Sequence, residues 1–294
     1  MSNFSMHNTA IFSLQNAYNL ALASQIAYEN KETIRDKVTK EWGLEDFCFF
    51  DVEGCQGFIM SGAEFIVTAF RGTERNIEDW LIDIDFELVD GPLDSEVHSG
   101  FYNSLSHVWK DIERTIARFR QNKPKSIWFT GHSLGAAMAT LAVARFIDNA
   151  WPVNGLYTFG QPRTGNQIFA RNLNLKFKPY IFRFVNNNDI VTRIPPRQIG
   201  YRHVGTLKYF KENGDLTSDI SSWERFLDSM RGRIEDILEW GTDGIKDHKI
   251  DNYVRLIENY GSIKLDAQAS VGCVLRTVSQ SKGSDSIDFS ANNE

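Results

Sequence analysis

The chain has 294 residues, of which 42% are hydrophobic and 24% charged, so its composition is that of an ordinary globular protein with room for a sizeable core. Its formal net charge is −6, and its lysine and arginine residues are spread along the sequence. Because binding to nucleic acid needs a basic stripe, this charge pattern argues against a nucleic-acid partner.

The cysteines and the N-terminus indicate little about cofactors or compartment. Cys48, Cys55 and Cys273 have no metal-ligand spacing, and we expect free thiols rather than a bridge from Cys48 to Cys55 across a hairpin. No secretory signal is visible, and no stretch reaches the length of a membrane span. We therefore expect a chain that is cytoplasmic or exported by a non-standard route, with no metal and no cofactor.

Helical and strand patterns follow one another in the first seventy residues. An amphipathic opening helix is predicted over about 13–30, and a charged second helix ends at Trp42. The next apolar runs predict strands at residues 47–50, 57–60 and 64–70, the first two joined by a turn at Glu53 and Gly54. The third run is apolar throughout, as expected of a strand that is buried on both faces.

The loop after this third strand has two interpretations. If the strand lies beside the one that leads to Ser133, the backbone N–H of Thr73 faces the same cavity as the N–H of Leu134. Two amides aimed at one oxygen form an oxyanion hole, in which each donor stabilises the transition state by about 3 kcal/mol. Otherwise the loop is a plain turn that uses Gly72, and the spacing alone leaves both interpretations open.

Residues 77–84 predict a short helix with one apolar and one acidic face. Its apolar positions follow the spacing i, i+3, i+4 and i+7, and they are Ile77, Trp80, Leu81 and Ile84. Packed permanently, this face belongs to the core. A helix that covers the cavity at Ser133 and swings away at an oil–water surface is instead a lid, and the pattern fits both interpretations.

The stretch around Ser133 carries the functional prediction. Residues 126–137 read Ser-Ile-Trp-Phe-Thr-Gly-His-Ser-Leu-Gly-Ala-Ala, an apolar strand that passes through Gly-X-Ser-X-Gly into an alanine-rich helix. This context predicts a nucleophile elbow with Ser133 at its tip, and with Gly131 and Gly135 where strand and helix nearly touch. The hydroxyl then lies beside the first amides of the helix, where unpaired N–H groups and the helix dipole stabilise an oxyanion.

Strands continue to alternate with helices after the elbow. Further strands are predicted at residues 155–160 and 180–185, with a final strand pair at 201–205 and 207–210. This alternation predicts an α/β fold with a mostly parallel central sheet and helices on both faces. In such sheets functional residues collect at the carboxyl ends of the strands.

The C-terminal part is predicted to be helical and then disordered. A long amphipathic helix is expected over 223–238, ending at residues 241–244, and a last helix over 253–259. Without an interior linker or repeat, residues 1–276 are predicted to form one domain. The serine-rich, polar residues 277–294 are expected to be a disordered tail.

Candidates for the acid and the base follow from chain order. Asp189 comes just after the strand at 180–185, where a carboxylate can orient an imidazole. In α/β hydrolases the base follows the acid, which leaves His203 and His248. His203 lies inside a predicted strand, whereas His248 lies in a predicted polar loop before a helix. We therefore favour His248.

Five segments in the same order together resemble the class 3 lipase family, the fungal-type lipases of the α/β-hydrolase fold. They are residues 69–73 (Ala-Phe-Arg-Gly-Thr), 97–101 (Val-His-Ser-Gly-Phe), 130–137 (Thr-Gly-His-Ser-Leu-Gly-Ala-Ala), 160–163 (Gly-Gln-Pro-Arg) and 247–248 (Asp-His). The resemblance covers roughly residues 16–260. Five motifs in the family order are much more specific than any one of them.

The resemblance implies a role for each candidate residue. Ser133 is the expected nucleophile, Asp189 the acid and His248 the base. Thr73 and Leu134 are the expected oxyanion hole. In addition, Trp80 falls where the family has its lid tryptophan.

The resemblance also implies the activity. The family hydrolyses carboxylic esters, commonly acylglycerols, without a metal or organic cofactor. We therefore expect a triacylglycerol lipase that contacts a lipid surface transiently. The alternatives are a soluble or feruloyl-type esterase, a phospholipase A1 or galactolipase, and an inactive hydrolase scaffold used for lipid sensing.

Overall fold

The computed structural model describes residues 4–9, 11–73, 77–218 and 241–262, except for the side chains of Glu78, Ile82 and Thr242. The helix predicted over 223–238, Cys273 and the tail over 277–294 lie outside these ranges. Whether residues 1–276 form one domain therefore stays a prediction. Within the described ranges, no helix combines the length and the apolar character that crossing a bilayer requires.

The central sheet has eight strands in the order β1-β2-β3-β6-β7-β9-β11-β12. Its strands are β1 (Asp46–Val52), β2 (Cys55–Ser61), β3 (Phe65–Phe70), β6 (Ser126–His132), β7 (Gly155–Phe159), β9 (Ile181–Asn186), β11 (Thr206–Phe210) and β12 (Leu216–Thr217). All neighbours from β3 to β11 are parallel, and the pairs at either side are antiparallel. The predicted mostly parallel central sheet is confirmed.

A second, smaller sheet is antiparallel and has the order β10-β8-β5-β4. Its strands are β4 (Leu88–Gly91), β5 (Ser95–His98), β8 (Gly165–Asn166) and β10 (Tyr201–Arg202).

Helices cover both faces of the central sheet, as predicted. They are α1 (Leu14–Ile26), α2 (Lys31–Asp36), α3 (Ile77–Asp83), α4 (Ser99–Phe119), α5 (Leu134–Asp148), α6 (Gln167–Phe177), α7 (Gly241–His248) and α8 (250–262). Alternate strand residues face opposite sides, so Trp128 packs in one core with α1 and α8, while Ile127 and Phe129 pack in another with α4, α5 and α6.

The N-terminal predictions are confirmed with one change of boundary, and the second helix reaches Trp42 because a π-helical turn, Lys37–Glu41, continues α2. The turn of the first hairpin uses Glu53 and Gly54, both with positive φ, and Cys48 and Cys55 are free. The opening helix is shorter than predicted because α1 ends at Ile26 and a new helix starts after Asn30. The Asn30 side chain accepts a hydrogen bond from the Thr33 amide and so caps α2.

The predicted pairing of the strands at 201–205 and 207–210 is wrong. β10 joins β8 in the smaller sheet, whereas β11 extends the central sheet beside β9. Gly205 lies between them with φ +77°, where a Cβ atom would overlap the Ile181 side chain. The chain therefore turns at Gly205 from one sheet into the other, and two adjacent β patterns do not form a hairpin.

The predicted helix end at 241–244 is also wrong, because α7 runs from Gly241 to His248. Gly244 packs against the loop after β9, and a Cβ atom there would come 3.0 Å from the Asn188 carbonyl oxygen. Tertiary packing thus retains glycine inside a helix despite its low helix propensity. The last helix begins at residue 250, earlier than predicted.

The buried His98, at the end of β5, makes the stability of the fold depend on pH. Its ring is 3% exposed and stacks on Phe101 with ring centroids 3.7 Å apart. Burial lowers the pKa of His98 to about 4. In the unfolded chain His98 is protonated below about pH 6.5, whereas in the folded chain it is protonated only below about pH 4. The free energy of unfolding therefore decreases as the pH falls from about 6.5 to 4.

We expect His98→Gln to flatten the dependence of the unfolding free energy on pH. In the wild type, protonation of His98 in the unfolded chain lowers the free energy of unfolding by up to about 1.4 kcal/mol for each pH unit below the unfolded pKa. Glutamine does not titrate, so the variant lacks this contribution. Urea unfolding at about pH 7, 6 and 5 at constant salt measures the slope. The control is His107→Gln, which changes a histidine with a 43% exposed side chain. Equal slopes for wild type and His98→Gln would contradict the assignment.

Candidate active site

Ser133 lies at the junction of β6 and α5 with φ 57° and ψ −129°, a strained conformation for a residue with a side chain. A Cβ atom on Gly131 would overlap the backbone of Gly135, and one on Gly135 would overlap the Phe70 carbonyl. Strand and helix therefore approach as closely as the Gly-X-Ser-X-Gly pattern predicts. This geometry presents Ser133 at the tip of a sharp turn.

Asp189 and His248 form a buried pair at the carboxyl end of β9. Asp189 is 0% exposed, and both of its carboxylate oxygens lie 2.9 Å from His248 Nδ1. Since an ionised carboxylate only accepts hydrogen bonds, Nδ1 carries the proton and donates it. Nε2 is then left with a lone pair, which is the tautomer that a general base requires.

Burial by itself raises the pKa of Asp189, but opposing interactions outweigh it. The attraction of His248 and the hydrogen bonds from His248 and Tyr253 stabilise the ionised form, so the pKa of Asp189 lies below its usual value. The carboxylate thus stays charged and can stabilise an imidazolium when His248 takes up a second proton.

Ser133 and His248 face one cavity of about 640 Å³. Among the described residues, neither Ser133 Oγ nor His248 Nε2 has a hydrogen-bond partner, although both atoms are buried. The His248 ring lies 4.4 Å from the ring of His132, the residue before Ser133. The hydroxyl and the free imidazole nitrogen thus belong to the lining of the same cavity, and a contact between such groups can form when a substrate binds.

The prediction that His248 lies in a polar loop is wrong, because His248 is the last residue of α7. α7 packs its Gly244 on the Asn188 carbonyl, and this contact brings the end of the helix to Asp189.

Three residues that the sequence did not identify hold the pair in place. Tyr253 of α8 donates from its hydroxyl to Asp189 Oδ2 at 2.5 Å. His132 donates from Nε2 to the carbonyl oxygen of His248 at 2.5 Å, and its Nδ1 accepts from the Tyr28 hydroxyl at 2.7 Å. Burial lowers the pKa of His132 to about 3, so this link between the elbow and the base stays neutral.

Spatial contact between strands brings the Thr73 loop to the nucleophile. β3 and β6 are parallel neighbours with Phe70 opposite Gly131, so both strands end side by side. Thr73 lines the cavity together with Ser133, and Leu134 is the first residue of α5, where helix amides have no partner within the helix. The strand before Thr73 thus lies beside the strand that leads to Ser133, which is the condition under which the sequence predicts an oxyanion hole. The roles of Thr73 and Leu134 stay predictions.

The apolar face of α3 points inward over the site. The Trp80 ring stacks on Phe101 with centroids 6.4 Å apart. Leu81 is 5% exposed and packs against Ile190 and Val191, which follow Asp189 directly. Ile77 lines the cavity, and Ile84 is half-buried. The helix therefore lies in a closed position, which suits a lid and a permanent part of the core equally.

The cavity combines an apolar interior with a charged rim. Its apolar lining includes Ile26, Ile77, Ile245 and Ile250, and its rim carries the exposed residues Glu29, Lys249 and Asp251. The volume lies within the range of about 300–1,000 Å³ that is typical of small-molecule sites. His203 takes no part, because its Nε2 donates to the Thr192 carbonyl at 2.7 Å, consistent with a structural role.

Comparisons with known proteins agree with this geometry. A model of the class 3 lipase family matches residues 67–199, a range that contains Thr73, Ser133, Leu134 and Asp189, which confirms the predicted resemblance. The chain is 34% identical over 162 residues to a secreted mono- and diacylglycerol lipase 1 of Fusarium solani, covering 53% of this chain and 46% of that protein. The chain spans about half the length of the curated relatives it matches.

Solved structures extend the similarity to about 70% of the chain. Lipase II from Rhizopus niveus has a TM-score of 0.61 and 26% identity, covering 68% of this chain and 81% of that chain. A triacylglycerol lipase whose catalytic centre is described as a serine protease triad has a TM-score of 0.59 and 27% identity, covering 71% and 87%. The chain has the α/β-hydrolase fold, as predicted.

We expect Tyr253→Phe to lower kcat/KM for an ester about tenfold. The change removes one donor to a buried carboxylate, a hydrogen bond that contributes about 1.5–3 kcal/mol, and leaves the ring in place. The matched control is Tyr157→Phe, which removes a buried hydroxyl that accepts from the Ser13 amide instead. Steady-state hydrolysis with both variants measures the effect, and equal losses would argue against a specific role for Tyr253.

Proposed function

We propose that this protein is a serine carboxylic-ester hydrolase of the lipase type, acting on acylglycerols. One observation carries the proposal: Ser133, at the tip of its strained turn, and His248, which is paired with the buried Asp189, line the same cavity. A hydroxyl, an imidazole with a free nitrogen and a carboxylate behind it are the parts that nucleophilic acyl transfer needs.

The proposed reaction has two halves. Ser133 Oγ attacks the ester carbonyl while His248 Nε2 takes its proton, and Asp189 stabilises the imidazolium. The amides of Thr73 and Leu134 bind the tetrahedral oxyanion. His248 then gives the proton to the departing alcohol, leaving an acyl group on Ser133. Water, deprotonated by the same nitrogen, releases the carboxylic acid and restores the serine.

The relatives support the substrate class. One similar protein is named a mono- and diacylglycerol lipase and another structure a triacylglycerol lipase. The apolar isoleucines inside the cavity suit an acyl chain, and the charged rim suits the glycerol or headgroup end. We propose a transient contact with a lipid surface through α3. Two relatives are named as secreted, and export of this chain is part of the proposal.

A soluble esterase is the second candidate, because the packing of α3 also fits a helix that does not move. Leu81 is almost fully buried against the residues that follow Asp189, and Trp80 stacks on Phe101. A helix fixed by these contacts restricts the cavity to small soluble esters. A helix that leaves them exposes an apolar face to lipid.

We expect Ser133→Ala to reduce ester turnover at least about a thousandfold while leaving the thermal midpoint nearly unchanged. Acid release from a soluble short-chain ester measures turnover, and a fluorophosphonate probe should label the wild type and not the variant. Ser106→Ala, which changes an exposed hydroxyl on α4, is the control and keeps full activity. Absence of labelling in the wild type would favour the inactive-scaffold alternative.

We expect Trp80→Ala to reduce hydrolysis of emulsified triglyceride by about tenfold and of dissolved short-chain ester by less than about twofold, because a lid acts mainly at an interface. Acid release is measured as substrate concentration crosses its solubility limit. Trp151→Ala, which changes a half-buried tryptophan beyond the far end of α5, is the control. If both substrates lose activity equally, α3 is a fixed part of the core and the esterase reading is preferred.

A further inference from the structure

Two arginines and a glutamine are buried outside the lining of the catalytic cavity. Arg163 is 2% exposed, Arg183 4% and Gln161 0%. We call these three residues the buried arginine cluster. Arginine is rarely buried to this degree unless it is paired, because removing its charge from water is strongly unfavourable.

The sheet register brings the members of the cluster together. Thr158 of β7 lies directly beside Arg183 of β9, and both side chains point to the face opposite the phenylalanines that flank Arg183. The Thr158 hydroxyl donates to Gln161 Oε1 at 2.7 Å, which holds the glutamine beside this pair. Arg163 follows two residues later in the same loop.

Several N–H groups of the cluster have no hydrogen-bond acceptor among the described residues. Arg163 Nη1 donates to the carbonyl oxygens of Arg193 and Pro195. Among the described residues, Arg163 Nε, Arg183 Nε and Nη1, and Gln161 Nε2 are fully enclosed and have no hydrogen-bond partner. Four enclosed N–H donor groups from two segments of chain thus need an acceptor.

The charges around the cluster have the same sign. Burial, followed by repulsion from Arg183, Arg197 and Arg202, lowers the pKa of Arg163 to about 9. Burial lowers the pKa of Arg183 to about 10. Within the part of the chain that the structure describes, the charged groups that act most strongly on Arg163 are therefore cations.

We propose that the buried arginine cluster binds a small monovalent anion, a halide such as chloride, between the guanidinium groups of Arg163 and Arg183 and the amide of Gln161. A single negative charge offsets the repulsion between the arginines and accepts from all three side chains. The complete enclosure of the donors favours a spherical ion over phosphate or sulfate, which need more space and more donors.

The anion also acts on the loop that carries the catalytic carboxylate. Arg163 holds the carbonyl groups of Arg193 and Pro195, and the Thr192 hydroxyl donates to the Asp189 carbonyl at 2.8 Å. An anion that fixes Arg163 therefore stabilises residues 189–195. Stability gained in this way depends on anion concentration, as for any ligand that binds only the folded state.

Crystals grown without halide and soaked in sodium bromide test the site directly. We expect an anomalous bromide peak within hydrogen-bond distance of Arg183 Nη1 and Gln161 Nε2. Ordered water in the place of bromide, or bromide only at the surface, would overturn the proposal. Because this experiment uses the wild type, it does not depend on whether a variant folds.

Thermal unfolding at constant ionic strength provides the second test, with sodium bromide exchanged stepwise for sodium gluconate. We expect the midpoint of the wild type to rise by about 3 °C and to saturate. Arg183→Met should lose this saturable rise, and Arg145→Met, which removes a half-buried arginine on α5, should keep it. The same response in wild type and Arg183→Met would count against the site.

Discussion

The buried Asp189 carboxylate joins the parts of the active site that are distant in sequence. It accepts from His248 and Tyr253, which lie 59 and 64 residues further along the chain, and from the nearby amide of Val191. A buried ion is unfavourable unless it is paired and hydrogen-bonded. Burial therefore requires these contacts, and α7 and α8 have to dock where their side chains reach Asp189.

Predictions from local pattern agree with the structure where local chemistry determines the backbone. The apolar run of β3 identifies a strand buried on both faces, and the two glycines around Ser133 identify the sharp turn, because a Cβ at either glycine would overlap backbone. Residues that act through long-range hydrogen bonds carry no such signal. Tyr28 and Tyr253 resemble other core aromatics in sequence, and only the fold brings their hydroxyls to His132 and Asp189.

The wrong predictions have a common physical cause in tertiary packing. Two adjacent β patterns separate because Gly205 turns the chain from the smaller sheet into the central one. The sequence around Gly244 predicts a helix end, yet Gly244 lies inside α7. Glycine occurs there because the nearby Asn188 carbonyl leaves little space for a side chain. Helix α7 then extends to His248, which a sequence reading places in a loop. Gly205 is favoured both by its positive φ and by the close approach of Ile181, whereas Gly244 is favoured by the close approach of Asn188 against its low helix propensity.

Residues 189–195 are the common neighbour of the base, α3 and the buried arginine cluster. His248 binds the side chain of Asp189, Leu81 packs on Ile190, and Arg163 holds the carbonyl of Pro195. Arg163 and Tyr253 hold this loop through contacts that do not involve α3, so the movement proposed for α3 would expose its apolar face and leave these contacts in place. If α3 opens as proposed, the Asp189–His248 pair keeps its hydrogen bonds while the entrance widens, and the packing of Leu81 then belongs to the closed position.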